Sequence, residues 1–263
     1  MSTIRIETQP FDAHRPNTFS QIVGNQSVVR RVTNMLAKNL LPKVLFLTGP
    51  TGAGKTTIAR IIARAKLCTG RPLGEFEPCG SCELCCMTLN DSTCGVYEYQ
   101  EYGAIDLTDE MIVDFKFDFL RDWKVFFIDE LQDLKKHQFR LLRKKSEGVI
   151  ATLIFTTSHP DEIEDAFRNR LKSYEYEMTR PTPDEVADFL EERFKQLKID
   201  YESRSQMIRV AESLNCEMRP CGEFPRNVLA ETEGTMTDEY LDDLFGIEAS
   251  QATSKRDRRR REI

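Results

Sequence analysis

A phosphate-binding loop is the feature that most constrains this chain. Residues 49–56 read Gly-Pro-Thr-Gly-Ala-Gly-Lys-Thr and match the pattern GxxxxGK[ST]. The apolar run Val44 to Leu47 precedes the loop, and a helical pattern follows it with an apolar face of Ile58, Ile61, Ile62 and Ala65. A strand, a glycine-rich loop and a helix in this order surround phosphates with backbone N–H groups. The motif therefore predicts a site for a nucleoside triphosphate.

The loop also carries side chains suited to the phosphates and to their metal ion. Lys55 would place a positive charge at the β- and γ-phosphates, and the Thr56 hydroxyl would bind Mg²⁺. The residues predicted to contact the nucleotide along this stretch are Gly49, Pro50, Thr51, Gly52, Ala53, Gly54, Lys55, Thr56 and Thr57.

Length and composition limit the class of protein. The 263 residues are 40% hydrophobic and 30% charged, which is typical of one or two globular domains with a buried core. No apolar run approaches the roughly 20 residues of a membrane span, and Met1 to Gln9 lacks the apolar stretch of a secretory signal. We therefore expect a soluble, cytoplasmic protein. The formal net charge of −6 argues against a general nucleic-acid coat, so any contact with DNA requires a local basic surface.

Two adjacent carboxylates follow a second apolar strand. Residues 124–130 read Lys-Val-Phe-Phe-Ile-Asp-Glu, and a buried parallel strand delivers acids to a nucleotide site in this way. Asp129 would hold Mg²⁺ through water, and Glu130 would orient and deprotonate the attacking water. Acids after a strand are also ordinary turn residues, but the phosphate loop favours the catalytic interpretation.

A third strand is predicted from Val149 to Phe155. It ends in Thr156-Thr157-Ser158, whose hydroxyls reach the γ-phosphate or the attacking water if this strand lies beside the strand with the two carboxylates. Threonines at strand ends are also common turn residues.

Helical periodicity begins at Thr182. Thr182-Pro-Asp-Glu185 predicts a capping box with proline at the first helical position. The apolar positions of two successive helices are Val186, Phe189, Leu190, Phe194 and Leu197, then Met207, Ile208, Val210, Ala211 and Leu214. A third helix is predicted to begin near Pro225, with Arg226 in its first turn. These patterns indicate a small helical domain.

The order of these elements resembles the AAA+ ATPases of DNA clamp loaders, and among them the bacterial gamma/tau subunit. Arg15-Pro-Asn-Thr-Phe19 and Ile22-Val-Gly-Asn-Gln26 resemble that family's adenine-side signature, which places Val23 at the nucleotide. The resemblance extends from about Arg15 to Gly234. It implies an α/β P-loop fold with a parallel sheet flanked by helices, an inserted zinc module of four cysteines, a small helical lid domain, and ATP with Mg²⁺ as cofactors. The expected parts are residues 1–178 for nucleotide binding, 179–234 for the lid, and 235–263 for a short helix and a basic tail.

The resemblance also implies roles for four further residues. Thr157 is the expected sensor 1, with Thr156 as the alternative, and Arg226 is the expected sensor 2 on the lid. Arg170, within Asn-Arg-Leu, stands where the family has Ser-Arg-Cys, whose arginine reaches into the ATP site of the neighbouring subunit. Because the flanking serine and cysteine are absent, Arg168 is a competing candidate, and either arginine could be a solvated charge on a helix face.

Four cysteines with the spacing C-x10-C-x2-C-x2-C follow the phosphate-loop helix, and this pattern resembles the zinc module of gamma-type subunits. They are Cys68, Cys79, Cys82 and Cys85, within an expected module of residues 68–94. Four thiolates suit tetrahedral Zn²⁺, whereas a disulfide is disfavoured in a chain without an export signal. An iron–sulfur cluster is the alternative, and Cys86 could replace Cys85 as a ligand. Cys216 and Cys221 are expected to be ordinary thiols.

Basic residues cluster at two places. The first follows the carboxylate pair on a helix with an apolar face, and its candidates for DNA binding are Lys135, Lys136, Arg140 and Arg143. In clamp loaders the corresponding helix lines the central chamber and follows the DNA phosphates, whereas the alternative is a solvated helix face. The second cluster, Lys255 to Arg261, is expected to lie in a disordered tail that could touch nucleic acid or do nothing specific.

The resemblance implies partners as well. They are other AAA+ subunits in a pentameric assembly, a sliding clamp and primer–template DNA, in the cytoplasm of a bacterial or virus-infected bacterial cell. About thirty residues follow Gly234, so we expect no helical collar, and assembly through the ATPase faces or with a separate partner. Thr237 to Phe245 predicts one short helix, and its last four residues, Asp-Asp-Leu-Phe, weakly resemble sliding-clamp-binding peptides.

Three classes of function remain open at this point. The first is an ATP-driven clamp-loader subunit, and the second is a related AAA+ switch for another client, such as a replicative helicase or a repair complex. The third is a scaffold that does not hydrolyse ATP. The intact set of Lys55, Thr56, Asp129 and Glu130 argues against the scaffold.

Overall fold

The computed structural model describes residues 15–89, 96–99, 125–135, 138–139, 142 and 152–246. The chain divides into two compact units, Met1–Thr179 and Arg180–Ile263. Within the described ranges, no helix has both the length and the apolar character needed to cross a lipid bilayer.

In the described part of the first unit, a parallel sheet of five strands forms the centre. Its strands are β1 (Val44–Thr48), β2 (Val96–Tyr99), β3 (Val125–Ile128), β4 (Thr152–Thr157) and β5 (Glu175–Glu177). Their order across the sheet is β2-β3-β4-β1-β5, and every neighbouring pair is parallel. The order brings the ends of β1, β3 and β4 together at one edge, where the phosphate loop, the carboxylates and the paired threonines lie. The predicted parallel sheet is confirmed.

Alternate residues of the central strands enter two different cores. In β3, Phe127 belongs to one hydrophobic cluster, whereas its neighbours Phe126 and Ile128 belong to the other. The side chains of β1 are distributed in the same way, because Phe46 and Leu47 belong to different clusters. Successive side chains of a strand point to opposite faces, so a continuous apolar run is buried only when both faces are covered.

Helices cover both faces. The helices whose bounds lie within the described ranges of this unit include α1 (Gln26–Ala37), α2 (Lys55–Leu67), α3 (Glu83–Leu89) and α4 (Asp165–Leu171). α1 and α2 pack on the face that contains Leu47, through residues such as Val32 and Ile62. α4 covers the opposite face through Phe167 and Leu171. The flanking helices expected from the sequence are therefore present.

The second unit is mainly helical. Its elements are α5 (Pro183–Leu197), β6 (Asp200–Tyr201), α6 (Arg204–Ser213), α7 (Met218–Glu231), β7 (Thr235–Met236) and α8 (Asp238–Phe245). The predicted capping box is confirmed, because the Thr182 side chain accepts a hydrogen bond from the Glu185 N–H and the Glu185 side chain accepts one from the Thr182 N–H. The core contains residues of α5, α6, α7 and α8, including Leu190 and Val210.

The predicted start of the third helix near Pro225 is wrong. α7 begins at Met218 and contains Pro225 in its interior. Cys221, Phe224 and Val228 lie on either side of the proline and are all buried in the same core. Burial of this stripe favours a continuous helix although proline removes one backbone hydrogen bond. Arg226 therefore lies in the middle of α7 and not in its first turn.

The short C-terminal helix docks on its own unit. Leu241 of α8 is fully buried, and the ring of Phe245 stacks on that of Phe224 at a centroid distance of 6.1 Å. Asp242 forms an ion pair with Arg209. These contacts occupy residues that the clamp-binding interpretation requires, so they argue against it.

Candidate nucleotide-binding site

The phosphate loop connects β1 to α2. Gly49 has a φ of +139°, and a Cβ at this position would lie 2.1 Å from the backbone oxygen of Met178. Glycine is required there, because the loop passes directly against the backbone that follows β5. Gly54 precedes α2, and among the described residues no side chain caps this helix. The N-terminus of α2 is therefore suited to an anion.

Lys55 is buried at the start of α2, with only 4% of its side chain exposed. Its ammonium donates hydrogen bonds to the backbone oxygens of Gly49 at 2.9 Å and Pro50 at 3.1 Å. It also lies 4.0 Å from a carboxylate oxygen of Glu130. Burial lowers the pKa of Lys55, and the negative charges of Glu130 and Asp129 oppose that shift. The structure thus brings the predicted phosphate-binding cation close to the carboxylates.

Asp129 follows β3 and accepts hydrogen bonds from two threonines. The Thr56 hydroxyl lies 3.1 Å from Oδ1 and 3.0 Å from Oδ2. The Thr156 hydroxyl, in β4, donates to Oδ1. Thr56 and Asp129, the two residues predicted to hold magnesium, are therefore adjacent, as ligation of one ion requires.

The Glu130 carboxylate is held by a set of hydrogen bonds. Its Oε2 atom accepts from Nε2 of Gln132 at 2.9 Å, from the Ser158 N–H at 3.0 Å and from the Ser158 hydroxyl at 2.7 Å. Burial raises the pKa of Glu130, but the hydrogen bonds from Gln132 and Ser158, together with the charge of Lys55, outweigh burial and lower the pKa below its ordinary value. The group is therefore an oriented, ionised carboxylate at neutral pH.

Gln132 is a residue of the site that was not predicted from the sequence. This residue lies in the 3₁₀ helix Leu131–Asp133, and its side-chain amide bridges two predicted site residues. The amide nitrogen donates to Glu130, and the amide oxygen accepts from the Thr157 hydroxyl. The position of Gln132 two residues after the carboxylate pair was the only signal in the sequence. That signal is weak, because glutamine is common on protein surfaces.

The two threonines at the end of β4 have different partners. Both side chains are fully buried. Thr156 contacts Asp129 directly and accepts a hydrogen bond from the Glu130 N–H at 3.1 Å. Thr157 contacts Gln132 and accepts from the His159 N–H at 3.1 Å. The assignment of Thr157 as sensor 1 stays a prediction, and the geometry gives its alternative, Thr156, the direct contact with the carboxylate pair.

Asn25 belongs to the N-terminal segment that resembles the family's adenine-side signature, residues 15–26, called here the N-terminal signature. Asn25 connects this signature to the phosphate loop. Its side-chain amide donates to the backbone oxygens of Ala53 at 3.1 Å and Thr179 at 2.8 Å, and accepts from the Thr179 N–H at 2.9 Å. Val23, two residues earlier, is half-buried. The segment that was expected at the nucleotide therefore contacts the loop itself. Asn25 was part of the recognised motif, but its contacts with Thr179 span 154 residues and could not be read from the sequence.

The three predicted arginines lie on helices. Arg168 and Arg170 are in the last turn of α4, where Arg168 forms an ion pair with Asp161 and Arg170 is exposed. Arg226 is exposed on α7 in the second unit. Of the two candidates for a trans-acting residue, Arg170 is the more exposed.

The four predicted metal-binding cysteines come together. The sulfur atoms of Cys68, Cys79, Cys82 and Cys85 all lie within 4.8 Å of one another. A tetrahedral zinc ion about 2.3 Å from each sulfur separates the sulfurs by about 3.8 Å, so the set fits one such ion. Cys86 is exposed, and its sulfur contacts the backbone oxygen of Gly80. The geometry therefore favours Cys85 over Cys86.

Backbone groups stabilise these sulfurs. The N–H groups of Cys79, Cys82 and Cys85 donate to the sulfurs of Cys68, Cys79 and Cys82, at 3.3, 3.3 and 3.5 Å respectively. Burial raises the pKa of Cys82, but backbone N–H groups outweigh it and lower that pKa to about 5. A cluster containing a stabilised thiolate could hold a metal ion. No cysteine within the described ranges forms a disulfide, and Cys216 and Cys221 are buried in the core of the second unit.

The predicted DNA-binding residues are largely outside the described ranges. Lys135 is described and exposed, whereas Lys136, Arg140 and Arg143 are not described. The tail from Lys255 to Arg261 is also outside. The apolar residues of the same stretch, Phe139 and Leu142, are buried against the sheet.

The sheet order, the phosphate loop and the adjacent carboxylates define a P-loop nucleotide-binding protein of the AAA+ type. The chain belongs to the ATPase family associated with various cellular activities (AAA), whose model matches residues 45–178.

Curated relatives support the clamp-loader resemblance. The chain is 27% identical to DNA polymerase III subunit gamma/tau of Mycoplasma genitalium over 207 residues, which cover 77% of this chain and 34% of that protein. It is 22% identical to subunit tau/gamma of Haemophilus influenzae, with coverage of 89% and 34%, and 22% identical to subunit gamma of Buchnera aphidicola, with coverage of 89% and 63%. The chain thus spans about a third of the length of the first two. The predicted resemblance to clamp-loader AAA+ ATPases is confirmed.

Solved structures agree on the fold. Two variants of RuvB from Thermotoga maritima match with TM-scores of 0.62 and 0.61 at 18% and 16% identity. Each match covers 89% of this chain and 74% of the other. At this identity the likeness establishes the fold alone.

Proposed function

We propose that the chain binds ATP with Mg²⁺ and hydrolyses it. The observation that carries this proposal is the convergence of Lys55, Thr56, Asp129 and Glu130, with the Thr56 hydroxyl 3.0 Å from Asp129 and the Lys55 ammonium 4.0 Å from Glu130. Residues 49–57, Val23 and Asp129 would surround the nucleotide. Thr56 and Asp129 would hold Mg²⁺, which supplies positive charge at the phosphates.

Each side chain has a distinct part in this proposal. The Lys55 ammonium would exchange the backbone oxygens of Gly49 and Pro50 for phosphate oxygens, while the N–H groups of the loop bind the same anion. Glu130 would accept a proton from the attacking water, and Gln132 and Ser158 fix the direction in which its carboxylate points. Phosphoryl transfer depends mainly on such positioning and electrostatic stabilisation.

The test compares variants at separable positions. Lys55→Ala should abolish binding of a fluorescent ATP analogue, because it removes the cation of the phosphate site. Glu130→Gln should retain binding and lose phosphate release, because it removes the base without changing the side-chain size. Unimpaired turnover in Glu130→Gln would exclude this residue as the base, and wild-type protein that binds no ATP would overturn the proposal.

We further propose that the chain acts as a clamp-loader-like subunit in DNA replication in the bacterial cytoplasm. The support is its similarity to gamma and tau subunits of DNA polymerase III. It would assemble with other AAA+ subunits, in a pentamer, around primer–template DNA and load a sliding clamp. In such an assembly Arg170 would act on the neighbour's ATP, while Thr157 and Arg226 would sense the nucleotide within one chain.

The client can be identified by affinity purification with the Glu130→Gln variant, which should hold ATP and so preserve complexes. A sliding clamp among the retained proteins supports the proposal, and Lys55→Ala is the matched control that should lose it. A helicase or a repair complex in place of the clamp would identify a different client.

The basic stretch after the carboxylate pair is the proposed DNA surface. Charge reversal at Lys136, Arg140 and Arg143 should weaken DNA binding and reduce its salt dependence by roughly one unit per lost phosphate contact. Deletion of the tail from Lys255 to Arg261 is the control. If the tail deletion removes all binding while the charge-reversal variant binds normally, the basic stretch is not the DNA surface.

We also propose that Cys68, Cys79, Cys82 and Cys85 bind Zn²⁺ as a structural ion. The support is a four-thiol donor set in which all sulfurs lie within 4.8 Å of one another.

A further inference from the structure

We propose that Glu77 is a positioning residue for the nucleotide site, through which metal loading of the four cysteines strengthens nucleotide binding. The inference rests on the proposed function in that it requires the chain to bind ATP. Its structural basis is a path of contacts that leads from the cysteines to the phosphate loop.

The first step of the path is the contact of Glu77 with the N-terminal signature. The two carboxylate oxygens of Glu77 accept hydrogen bonds from the N–H groups of Phe19 and Ser20, each at 2.8 Å. These N–H groups begin the 3₁₀ helix Phe19–Gln21, which has no side-chain cap from its own N-cap residue, Thr18. Bonds from N–H groups to a carboxylate are charge-assisted and stronger than neutral ones. Glu77 therefore holds the signature at a point 57 residues away in sequence.

In the second step, the position of Glu77 depends on how the cysteines hold the ends of its loop. Residues 69–78 form neither helix nor strand, so their conformation depends on how the ends of the loop are held. The ends are Cys68 and Cys79, and the Cys79 N–H donates to the Cys68 sulfur at 3.3 Å. A metal ion shared by these two residues would close the loop and restrict Glu77.

Packing supports the same loop conformation. Arg71 donates to the backbone oxygens of Glu75 and Leu36, the latter at 3.2 Å, and so ties the loop to α1. The ring of Phe76 packs on that of Phe19 at a centroid distance of 6.3 Å. The loop is therefore fitted to the signature over several residues, and Glu77 supplies its two hydrogen bonds to the signature's backbone.

The third step leads from the signature to the phosphate loop. Arg64 of α2 donates to the backbone and side-chain oxygens of Asn17, at 3.0 and 3.1 Å. Gln21 accepts from the Asn17 N–H at 2.7 Å. Four residues further along, Asn25 donates to the Ala53 backbone oxygen within the phosphate loop. A displacement of the 3₁₀ helix would thus reach the loop through Asn25.

The expected effect is moderate. Phe19 is buried in the main core of the first unit, so loss of Glu77 should loosen the signature without unfolding it. We expect Glu77→Gln to weaken Mg·ATP binding by roughly three- to tenfold, since one charge-assisted pair is lost while the phosphate loop is unchanged. Removal of the metal should weaken binding in the same direction.

The test is a thermodynamic cycle in the full chain that combines the Glu77→Gln substitution with removal of zinc. Dissociation constants for Mg·ATP are measured for wild type and Glu77→Gln, each with zinc loaded and after removal of zinc by a chelator. If Glu77 transmits the effect, metal removal weakens binding clearly in wild type and much less in Glu77→Gln. Glu75→Gln is the matched control, because Glu75 is exposed in the same loop, and it should behave as wild type throughout.

A second measurement does not depend on nucleotide. Hydrogen exchange at the amides of Phe19 and Ser20 should accelerate in Glu77→Gln and in the metal-free protein, while amides in β1 stay protected. Equal weakening by metal removal in wild type and Glu77→Gln would overturn the inference, as would unchanged ATP affinity and amide exchange in a zinc-loaded Glu77→Gln. If wild type binds no ATP but shows the predicted exchange, the proposed function fails and the cysteine-to-signature contact stands.

Discussion

The side-chain amide of Gln132 donates a hydrogen bond to the carboxylate of Glu130 at 2.9 Å. Through its oxygen, the same amide accepts from Thr157 at the end of the neighbouring strand. A single neutral side chain thus connects the proposed base to β4, and it is one of the causes that lower the pKa of Glu130.

Replacement of Gln132 should change the pH dependence of hydrolysis. As the proposed base, Glu130 would act only when ionised, so hydrolysis should be lost as the pH falls through its lowered pKa. Gln132→Ala removes a hydrogen bond that favours the ionised form, so the pKa rises and the acid limb of the pH–rate profile moves to higher pH. Gln132→Glu should move it further, because a second negative charge faces Glu130. Identical profiles for wild type and both variants would contradict this role.

The two threonines of β4 provide a direct comparison. Thr156→Val removes the donor to Asp129 and the acceptor for the Glu130 N–H, and leaves that N–H unpaired, at a cost of about 1–3 kcal/mol in the free energy of unfolding. Thr157→Val removes the contact with Gln132 and the acceptor for the His159 N–H. We expect Thr156→Val to lower turnover more than Thr157→Val does, because Thr156 contacts Asp129 directly, and we expect the two variants to lose similar stability, as measured by phosphate release and urea unfolding. The opposite ranking for turnover would support Thr157 as the sensor.

The central part of the sheet could be predicted because its strands are rich in consecutive apolar residues. β1, β3 and β4 are covered on both faces, and this burial imposes a continuous hydrophobic sequence. The edge strands were not predicted. β2 reads Val-Tyr-Glu-Tyr and β5 reads Glu-Tyr-Glu, and strands this short and polar are typical of a sheet edge but carry little signal.

The residues of the candidate site also divide into those that could be recognised in the sequence and those that could not. The loop, the carboxylates and the cysteines are residues whose type and spacing are dictated by chemistry, and these positions were recognisable in the sequence. Asn25, Glu77 and Gln132 act through hydrogen bonds to partners that only the fold brings near, and their residue types are common at surfaces. Pro225 illustrates the opposite error, because a local helix-starting signal was overridden by the buried stripe on both sides of it.

The cysteine cluster leads to two predictions. One concerns the zinc content of the protein, and the other concerns Gly70, which packs against a cysteine of the cluster. Purified protein should contain about one zinc per chain, and structural zinc contributes on the order of 10 kcal/mol to small sites. A Cβ on Gly70 would lie 2.8 Å from the Cys79 sulfur, so Gly70→Ala should displace a ligand and lower the zinc affinity. Leu73→Ala is the control, because Leu73 is fully exposed in the same loop. Elemental analysis measures the metal, and absence of zinc or an absorption band near ~400 nm from iron would refute the assignment.

The final prediction concerns whether the ATP site is shared between chains. Arg170 is exposed in the last turn of α4, so we expect Arg170 to reach the neighbour's nucleotide. An arginine in this role is worth roughly 10³ to 10⁵ in rate. Arg170→Ala should therefore be nearly inactive with an intact base, and Glu130→Gln nearly inactive with an intact arginine.

Mixing these two variants distinguishes action in trans from action within one chain. Some interfaces in the mixture pair the arginine of a Glu130→Gln chain with the base of an Arg170→Ala chain, so hydrolysis should partly return as the ratio approaches equality. An arginine that acts within its own chain permits no such rescue, because no single chain in the mixture has both groups. If assemblies of the wild-type size form and the mixture stays inactive, Arg170 does not act in trans, and Arg168→Ala mixed with Glu130→Gln then tests the competing residue.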